Sequence, residues 1–448
     1  MQKSFKELDE AGVSALHWKI MFISGMGFFT DAYDLFVIGV IMEILKPLWH
    51  VTALESSLVN STALLAAAIG ALVFGRVADM LGRKRIYGLE VLVLAAGAIG
   101  CAFAPNIWWL LALRFILGIG IGGDYPVSAT IMGEYAGKNN RGLLVTLVFS
   151  MQAAGLILGP LLAAGLLTSH LPPDTVWRIL AGLGAVPALA VYWQRRKLKE
   201  TPRYLATAGQ REDESGKLLD VENGAGHKRP SFHEGFIHLM CDRKLLGFLI
   251  GTSAAWFLMD AAYYGNTVSS PMVLAALGQN QTLLHRILTQ LAIFVVFAAP
   301  GYAVAAKMMD TMGRKRIQCV GFLIMAITFL LLAIIPNVAS MVVPFLVVYG
   351  FSFFFTEFGP NATTFVYPSE VFPVKVRTTG HGISAAMGKI GGFAGVFLFP
   401  YLMQWKGLFA AESAAAIVSV LGLIVTWALL PETKGKTLEE ISEIVPLT

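Results

Sequence analysis

Twelve apolar stretches, most of them about twenty residues long, divide this chain into six, a polar interval, and six more. They fall at about 20–45, 57–78, 86–104, 107–133, 142–168, 176–194, then 245–270, 284–306, 317–336, 340–366, 378–403 and 409–430. A helix needs about 20 apolar residues to cross a bilayer. Inside the bilayer its backbone must satisfy its own hydrogen bonds. The expected fold is therefore an all-α membrane protein of twelve transmembrane helices in two six-helix halves. Composition agrees, since 14% of the residues are charged where soluble domains carry about 25%. Three scattered cysteines, Cys101, Cys241 and Cys319, imply neither a disulfide framework nor a metal site. No signal peptide is read, because the apolar run from Ile20 lacks a cleavage site and contains acids.

The polar interval 198–243 reads as a cytoplasmic linker between an N-terminal half, 1–197, and a C-terminal half with its tail, 244–448. Orientation follows from the basic residues. With the N-terminus inside, 28 of the 34 Lys and Arg fall on the cytoplasmic side. Both termini are expected there, in a plasma or inner membrane. The net charge of +5 then follows topology and implies no nucleic-acid partner.

The halves repeat each other. Gly75-Arg-Val-Ala-Asp79-Met-Leu-Gly82-Arg83-Lys84-Arg85 recurs as Ala306-Lys-Met-Met-Asp310-Thr-Met-Gly313-Arg314-Lys315-Arg316. Glu134 and Arg141, at the exit of the fourth span, recur at the same spacing as Glu370 and Arg377 after the tenth. Two parallel six-helix repeats suit a rocking secondary transporter with its site near the midplane. Asp79, Arg83, Glu134, Arg141, Asp310, Arg314, Glu370 and Arg377 are read as a cytoplasmic latch rather than as substrate ligands, because loop ion pairs can form in one conformation and part in another.

Charges within the spans are few, and each needs a partner, a cavity or a proton. Asp31 and Asp34 lie three apart on one face of the first span. Arg114 and Asp124 follow in the fourth, Asp260 in the seventh, Glu357 in the tenth and Lys389 in the eleventh. Acids outnumber bases here, so some should be protonated for part of a cycle, as a proton-coupled carrier requires. Arg114 is expected to pair with a first-span acid or backbone carbonyls, and nothing local in sequence neutralises Asp31, Asp124 or Asp260. Glu357 is left without an assigned role.

Trp256, Asp260 and Tyr264 stand four apart and stripe one helix face. Asn361 follows Gly359-Pro360, where a break in the helix would free backbone groups. Gln152 and Lys389 lie about mid-span in corresponding helices of the two halves. One buried Lys among amide, phenol and indole donors suits a small oxyanion. The glycines of Gly118-Ile-Gly-Ile-Gly-Gly-Asp124 are expected to let helices approach closely.

These motifs carry a resemblance. Gly75…Asp79…Gly82-Arg83-Lys84 resembles the loop signature of the major facilitator superfamily. Glu200-Thr-Pro-Arg203-Tyr204 and Pro431-Glu-Thr-Lys-Gly-Lys-Thr437 are similar to the motifs that close each half in its sugar-porter-like branch. More narrowly, Gly122-Gly-Asp124-Tyr125-Pro126-Val-Ser128-Ala-Thr130-Ile-Met-Gly-Glu134 resembles the signature of the proton-coupled inorganic phosphate symporters. Phe28-Phe-Thr-Asp31-Ala-Tyr-Asp34, Phe358-Gly-Pro-Asn361 and His381-Gly-Ile-Ser-Ala-Ala-Met-Gly388-Lys389 match it as well. The resemblance implies that Tyr125, Gln152, Trp256, Asp260, Tyr264, Asn361 and Lys389 form a phosphate site, and that Asp31, Asp34 and Asp124 take part in proton movement. Glu357 stands where that family usually carries an uncharged residue.

The expected activity is proton-coupled uptake of inorganic phosphate by alternating access. A symporter of a small organic acid, aromatic or hydroxy, fits the same features. A non-transporting receptor of the same fold is disfavoured by the intact loop motifs in both halves. No enzyme is expected, since no nucleophile–base pair, metal-ligand spacing or nucleotide loop occurs. No cofactor is implied, and a monomer in the lipid bilayer is expected to suffice.

Overall fold

The computed structural model describes residues 5–208, 210–212, 218–220, 232–275, 282–335 and 340–443. Ten of the described helices are long and apolar enough to cross a membrane. One of them, Arg377–Leu429, is two spans, because its backbone leaves the helix at Lys406 and Gly407. The first span, Ala15–Trp49, completes the twelve while carrying Asp31 and Asp34 at its centre. The others are Ala53–Leu81, Arg83–Ala102, Ile107–Tyr135, Arg141–Leu167, Pro173–Lys197, Arg243–Val268, Leu283–Met312, Arg314–Ile334 and Val342–Val371.

Start signals are local. The Asn106 side chain accepts from the Trp108 and Trp109 amides, both at 3.1 Å, to begin the fourth span. Asp242 accepts from the Lys244 and Leu245 amides at 2.9 Å to begin the seventh. Such caps satisfy amide donors that the helix itself leaves free. Trp18, Trp193 and Trp427 are exposed near the helix ends on the face that carries the Gly82 and Gly313 loops, and Trp108, Trp109 and Trp405 near the ends on the other. Two such belts are what rings that are apolar at one edge and polar at the other form at the two membrane surfaces.

Close packing occurs where glycine was expected to allow it. A Cβ on Gly118 would stand 2.3 Å from the Ala63 carbonyl oxygen, and one on Gly122 would stand 1.8 Å from that of Ala67. The second and fourth spans therefore touch backbone to backbone.

The tenth span breaks where the sequence suggests. Glu357–Asn361 forms one wide π turn, and Gly359 has non-helical backbone angles. Thr363 and Thr364 donate their hydroxyls to the Gly359 and Pro360 carbonyls at 3.0 and 2.7 Å, so the break leaves those acceptors satisfied inside the bundle. One departure from an all-α chain is a small antiparallel pair of strands, Gln210–Glu212 and Leu218–Asp220, in the interval between the halves. Of the interval read as a linker, residues 209, 213–217 and 221–231 lie outside the described residues.

Candidate functional site between the halves

Lys389 is the centre of the site. Its side chain is buried, with Nζ donating to the Tyr264 hydroxyl at 2.9 Å and to Asp260 Oδ2 at 3.3 Å. The same ammonium lies 4.2 Å from the centre of the Tyr125 ring and 4.6 Å from that of Tyr264. Ring faces attract cations, so this is a cage in which the charge is oriented without being neutralised twice. The Trp256, Asp260, Tyr264 stripe faces the eleventh span because Gly388 and Gly392 flank Lys389. A Cβ on them would meet Trp256 at 2.4 Å and Tyr264 at 2.8 Å.

A second set of groups joins this cage to the other half. Tyr125 donates its hydroxyl to Asp31, and Gln152 Nε2 donates to the Tyr125 hydroxyl at 3.2 Å. Tyr302 donates to Gln152 Oε1 at 2.9 Å, and Asn361 Nδ2 donates to the Tyr302 hydroxyl at 2.8 Å and also to Glu357. The chain Asp31, Tyr125, Gln152, Tyr302, Asn361, Glu357 thus runs from the first span to the tenth and crosses between halves at Gln152–Tyr302. All seven residues expected at a substrate site meet here. Phe28, Phe149 and Phe365 pack around Tyr125.

The remaining acids divide. Asp31 keeps one carboxylate oxygen without a hydrogen-bond partner, as does Asp34. Arg114 turns its Nε to the Val59 carbonyl at 2.9 Å, which is the backbone alternative of the two expected, while its charge is felt by Asp34. Asp124 is different. Arg195 grips it with two bonds of 2.8 Å, Ser128 adds a third at 2.5 Å, and Arg195 also holds Glu90 at 2.9 Å. The partner that the sequence around Asp124 lacks thus comes from the end of the sixth span.

On the face carrying the Gly82 and Gly313 loops, the halves are fastened by two matching clusters. Asp79 accepts from the Thr379 amide and hydroxyl, each at 2.7 Å, at the start of the eleventh span. Asp310 accepts from the Gly142 and Leu143 amides at 3.0 and 2.7 Å, at the start of the fifth. Each acid therefore sits on a helix N-terminus of the opposite half, where free amides and the helix dipole favour an anion. Arg83 lies 3.1 Å from Asp79 and 3.2 Å from Glu134, and Arg377 reaches Glu134 at 3.1 Å. In the other cluster Arg314 holds Asp310 at 2.8 Å and Glu370 at 2.7 Å, and Arg141 reaches Glu370 at 3.0 Å. Thr201 and Thr433, from the motifs closing each half, donate to Glu134 and Glu370 respectively. All eight residues that the sequence suggests as a latch meet in these two clusters, and this face is closed.

The opposite face is more open. A cavity of about 300 Å³ lies between the halves, lined by Gly39, Glu43, Asn60, Ser269, Pro271 and Gln404 among others. Arg286 of the other half approaches Glu43 of its lining at 3.7 Å, a looser contact than any in the two clusters.

Two participants, Tyr302 and Arg195, were not visible in the sequence. Tyr302 sits in an apolar span where a phenol reads as packing, and Arg195 sits in a basic run where its charge reads as loop. Glu412, buried in the last span with neither oxygen in a hydrogen bond, was counted with the twelfth apolar stretch. Glu412, like Glu90 in the third window, did carry a signal, an acid inside an apolar window.

Residues 20–445 match the family described as sugar (and other) transporter. Among similar proteins, the probable inorganic phosphate transporter 1-6 of Arabidopsis thaliana is 36% identical, over 98% of this chain and 95% of the relative. Inorganic phosphate transporter 1-6 of Oryza sativa subsp. japonica is also 36% identical, over 97% of this chain and 94% of its own length. Among solved structures, the major facilitator superfamily proton:xylose symporter XylE bound to 6-bromo-6-deoxy-D-glucose superposes with a TM-score of 0.81. It is 20% identical, with 96% of this chain and 98% of that one covered, and supports the twelve-helix fold. This chain is an integral, multi-pass membrane transporter of the sugar (and other) transporter family, and within the major facilitator superfamily it belongs with the inorganic phosphate transporters.

Proposed function

We propose that the protein takes up inorganic phosphate together with protons, its two halves, 1–197 and 244–448, rocking about the site between them. Both termini and the fastened face lie in the cytoplasm, in a plasma or inner membrane, and a monomer suffices. The names of the relatives support the substrate, and the basic-residue bias supports the orientation. One observation carries the chemistry: Lys389 is a caged cation that donates to the Tyr264 hydroxyl and to a single acid, against the face of the Tyr125 ring.

Phosphate enters by the cavity on the open side. Lys389 supplies point charge, while Tyr125, Gln152, Trp256, Tyr264 and Asn361 supply directed hydrogen bonds. Asp260 accepts a hydrogen bond from a protonated phosphate oxygen. Sulfate, fully deprotonated near neutral pH, would instead turn a lone pair toward that carboxylate, which favours phosphate. Asp31 and Asp34 take protons on the open side, since each has an oxygen free to receive one. Asp124 joins proton movement only when its pair with Arg195 opens. Asp79, Arg83, Glu134, Arg141, Asp310, Arg314, Glu370 and Arg377 hold the cytoplasmic face until substrate and proton are in place, then part.

The test is competition of radiolabelled phosphate uptake into proteoliposomes by arsenate, sulfate and small carboxylates across pH. Competition by arsenate alone, with uptake driven by an inward proton gradient, is expected. Strong competition by a carboxylate would transfer the site to an organic acid.

A further inference from the structure

The site holds more acids than the one cation in it can pair with. Lys389 is committed to Asp260 and Tyr264, and among the described residues no Lys or Arg comes within ion-pairing distance of Glu357. Glu357 is nonetheless fully buried. One of its oxygens accepts from Asn361, which the site uses, and the other makes no hydrogen bond. The groups facing it are all neutral or negative. The seventh span presents Tyr263 and Asp260, the eighth presents Tyr302, the ninth presents Gly321 beside the break, and the tenth adds Asn361. A carboxylate buried beside neutral donors but without a cation is costly to hold ionised, and protonation removes that cost. A phosphate anion arriving one helical turn away would add a further like charge.

We infer that Glu357 is a proton-binding residue of the transport cycle, neutral when the site holds its anion and repelling that anion when ionised. The protonated acid keeps its acceptor bond with Asn361, and its O–H, carried on the oxygen without a partner, is a donor available to a phosphate oxygen. Release on the cytoplasmic side then includes loss of this proton. Glu357 thereby carries a proton in the C-terminal half, in addition to those on the first span. This inference rests on the reading of the site as one for phosphate.

Equilibrium binding of radiolabelled inorganic phosphate to the purified full chain and to Glu357→Gln, followed from mildly acidic to alkaline pH, tests it. The ionisation of phosphate itself and of the other acids is common to both proteins and cancels in the ratio of their Kd values. The wild-type Kd should rise relative to that of Glu357→Gln by up to about tenfold per pH unit once Glu357 ionises, as loss of one linked proton requires. A ratio independent of pH would overturn the inference while leaving phosphate as the substrate. Absence of phosphate binding by the wild type would overturn the phosphate reading and this inference with it. Should Glu357→Gln fail to give a monodisperse protein, Glu357→Met, of similar length and uncharged, carries the same comparison.

Discussion

The fastened face and the midplane site are both built from buried acids, yet they balance charge in opposite ways. At the face, Asp79, Glu134, Asp310 and Glu370 meet Arg83, Arg377, Arg141 and Arg314, and two of the acids also cap helices of the opposite half. Every acid has a cation and a directed donor. In the site between the halves, Asp260 alone of Asp31, Asp260 and Glu357 has a cation, Lys389. A matched cluster resists change because removing one partner strands the other. An acid-rich, cation-poor cluster must import protons or repel anions. The first arrangement suits holding two halves together, and the second suits coupling an anion to protons.

That contrast can be broken at either end. The largest effect is expected at the cage. Lys389→Ala or Asp260→Asn should bring proton-driven phosphate accumulation by proteoliposomes to background, and accumulation retained by either variant would remove the site. Next comes the face. Arg141→Ala leaves Glu370 with Arg314 alone, so the loss should fall below the about 3–5 kcal/mol that fully stranding a member of a buried pair costs. Its thermal unfolding in detergent should shift downward, and cysteines introduced between the site and the fastened face should react faster with a polar thiol reagent. A smaller contrast separates two acids of the same half. Asp124→Asn should lower thermal stability, since Arg195 loses a charged partner, whereas Asp31→Asn, with no cation to strand, should not. Equal loss of stability in both would erase the distinction drawn between them.

The smallest effect lies outside the spans, where Arg203 ties Glu439 of the tail at 2.9 Å. Partial burial raises the Glu439 carboxyl, but Arg203 outweighs it and holds the group below the usual carboxylate range. A lowered value means that the tie is complete at neutral pH and weakens as pH falls through that range. Glu439→Gln should therefore flatten the acid limb of the thermal stability profile slightly, by about the worth of one partly exposed pair, roughly 1 kcal/mol or less.

Much of this was legible in the chain. The twelve spans follow from apolar length alone, and two matched clusters follow from Asp79 and Arg83 recurring as Asp310 and Arg314, because a motif repeated at the same depth of each half builds the same cluster twice. The break at Gly359 was legible because proline and glycine adjoin there. What the sequence could not provide was pairing at a distance. Arg195 meets Asp124 across 71 residues, and Tyr302 reaches Gln152 across 150. Neither carries a local mark, because what makes each of them polar in function is the helix packed beside it.

The central claim is that midplane acids carry protons and latch acids do not. It is tested most directly by the protons moved per phosphate, taken from reversal potentials of proteoliposomes bearing the wild type, Asp31→Asn or Glu370→Gln. The ratio should fall by about one proton in Asp31→Asn, the cost of silencing one intramembrane carrier, and stay at the wild-type value in Glu370→Gln whatever happens to its rate. An unchanged ratio in Asp31→Asn, or a lowered one in Glu370→Gln, would contradict it.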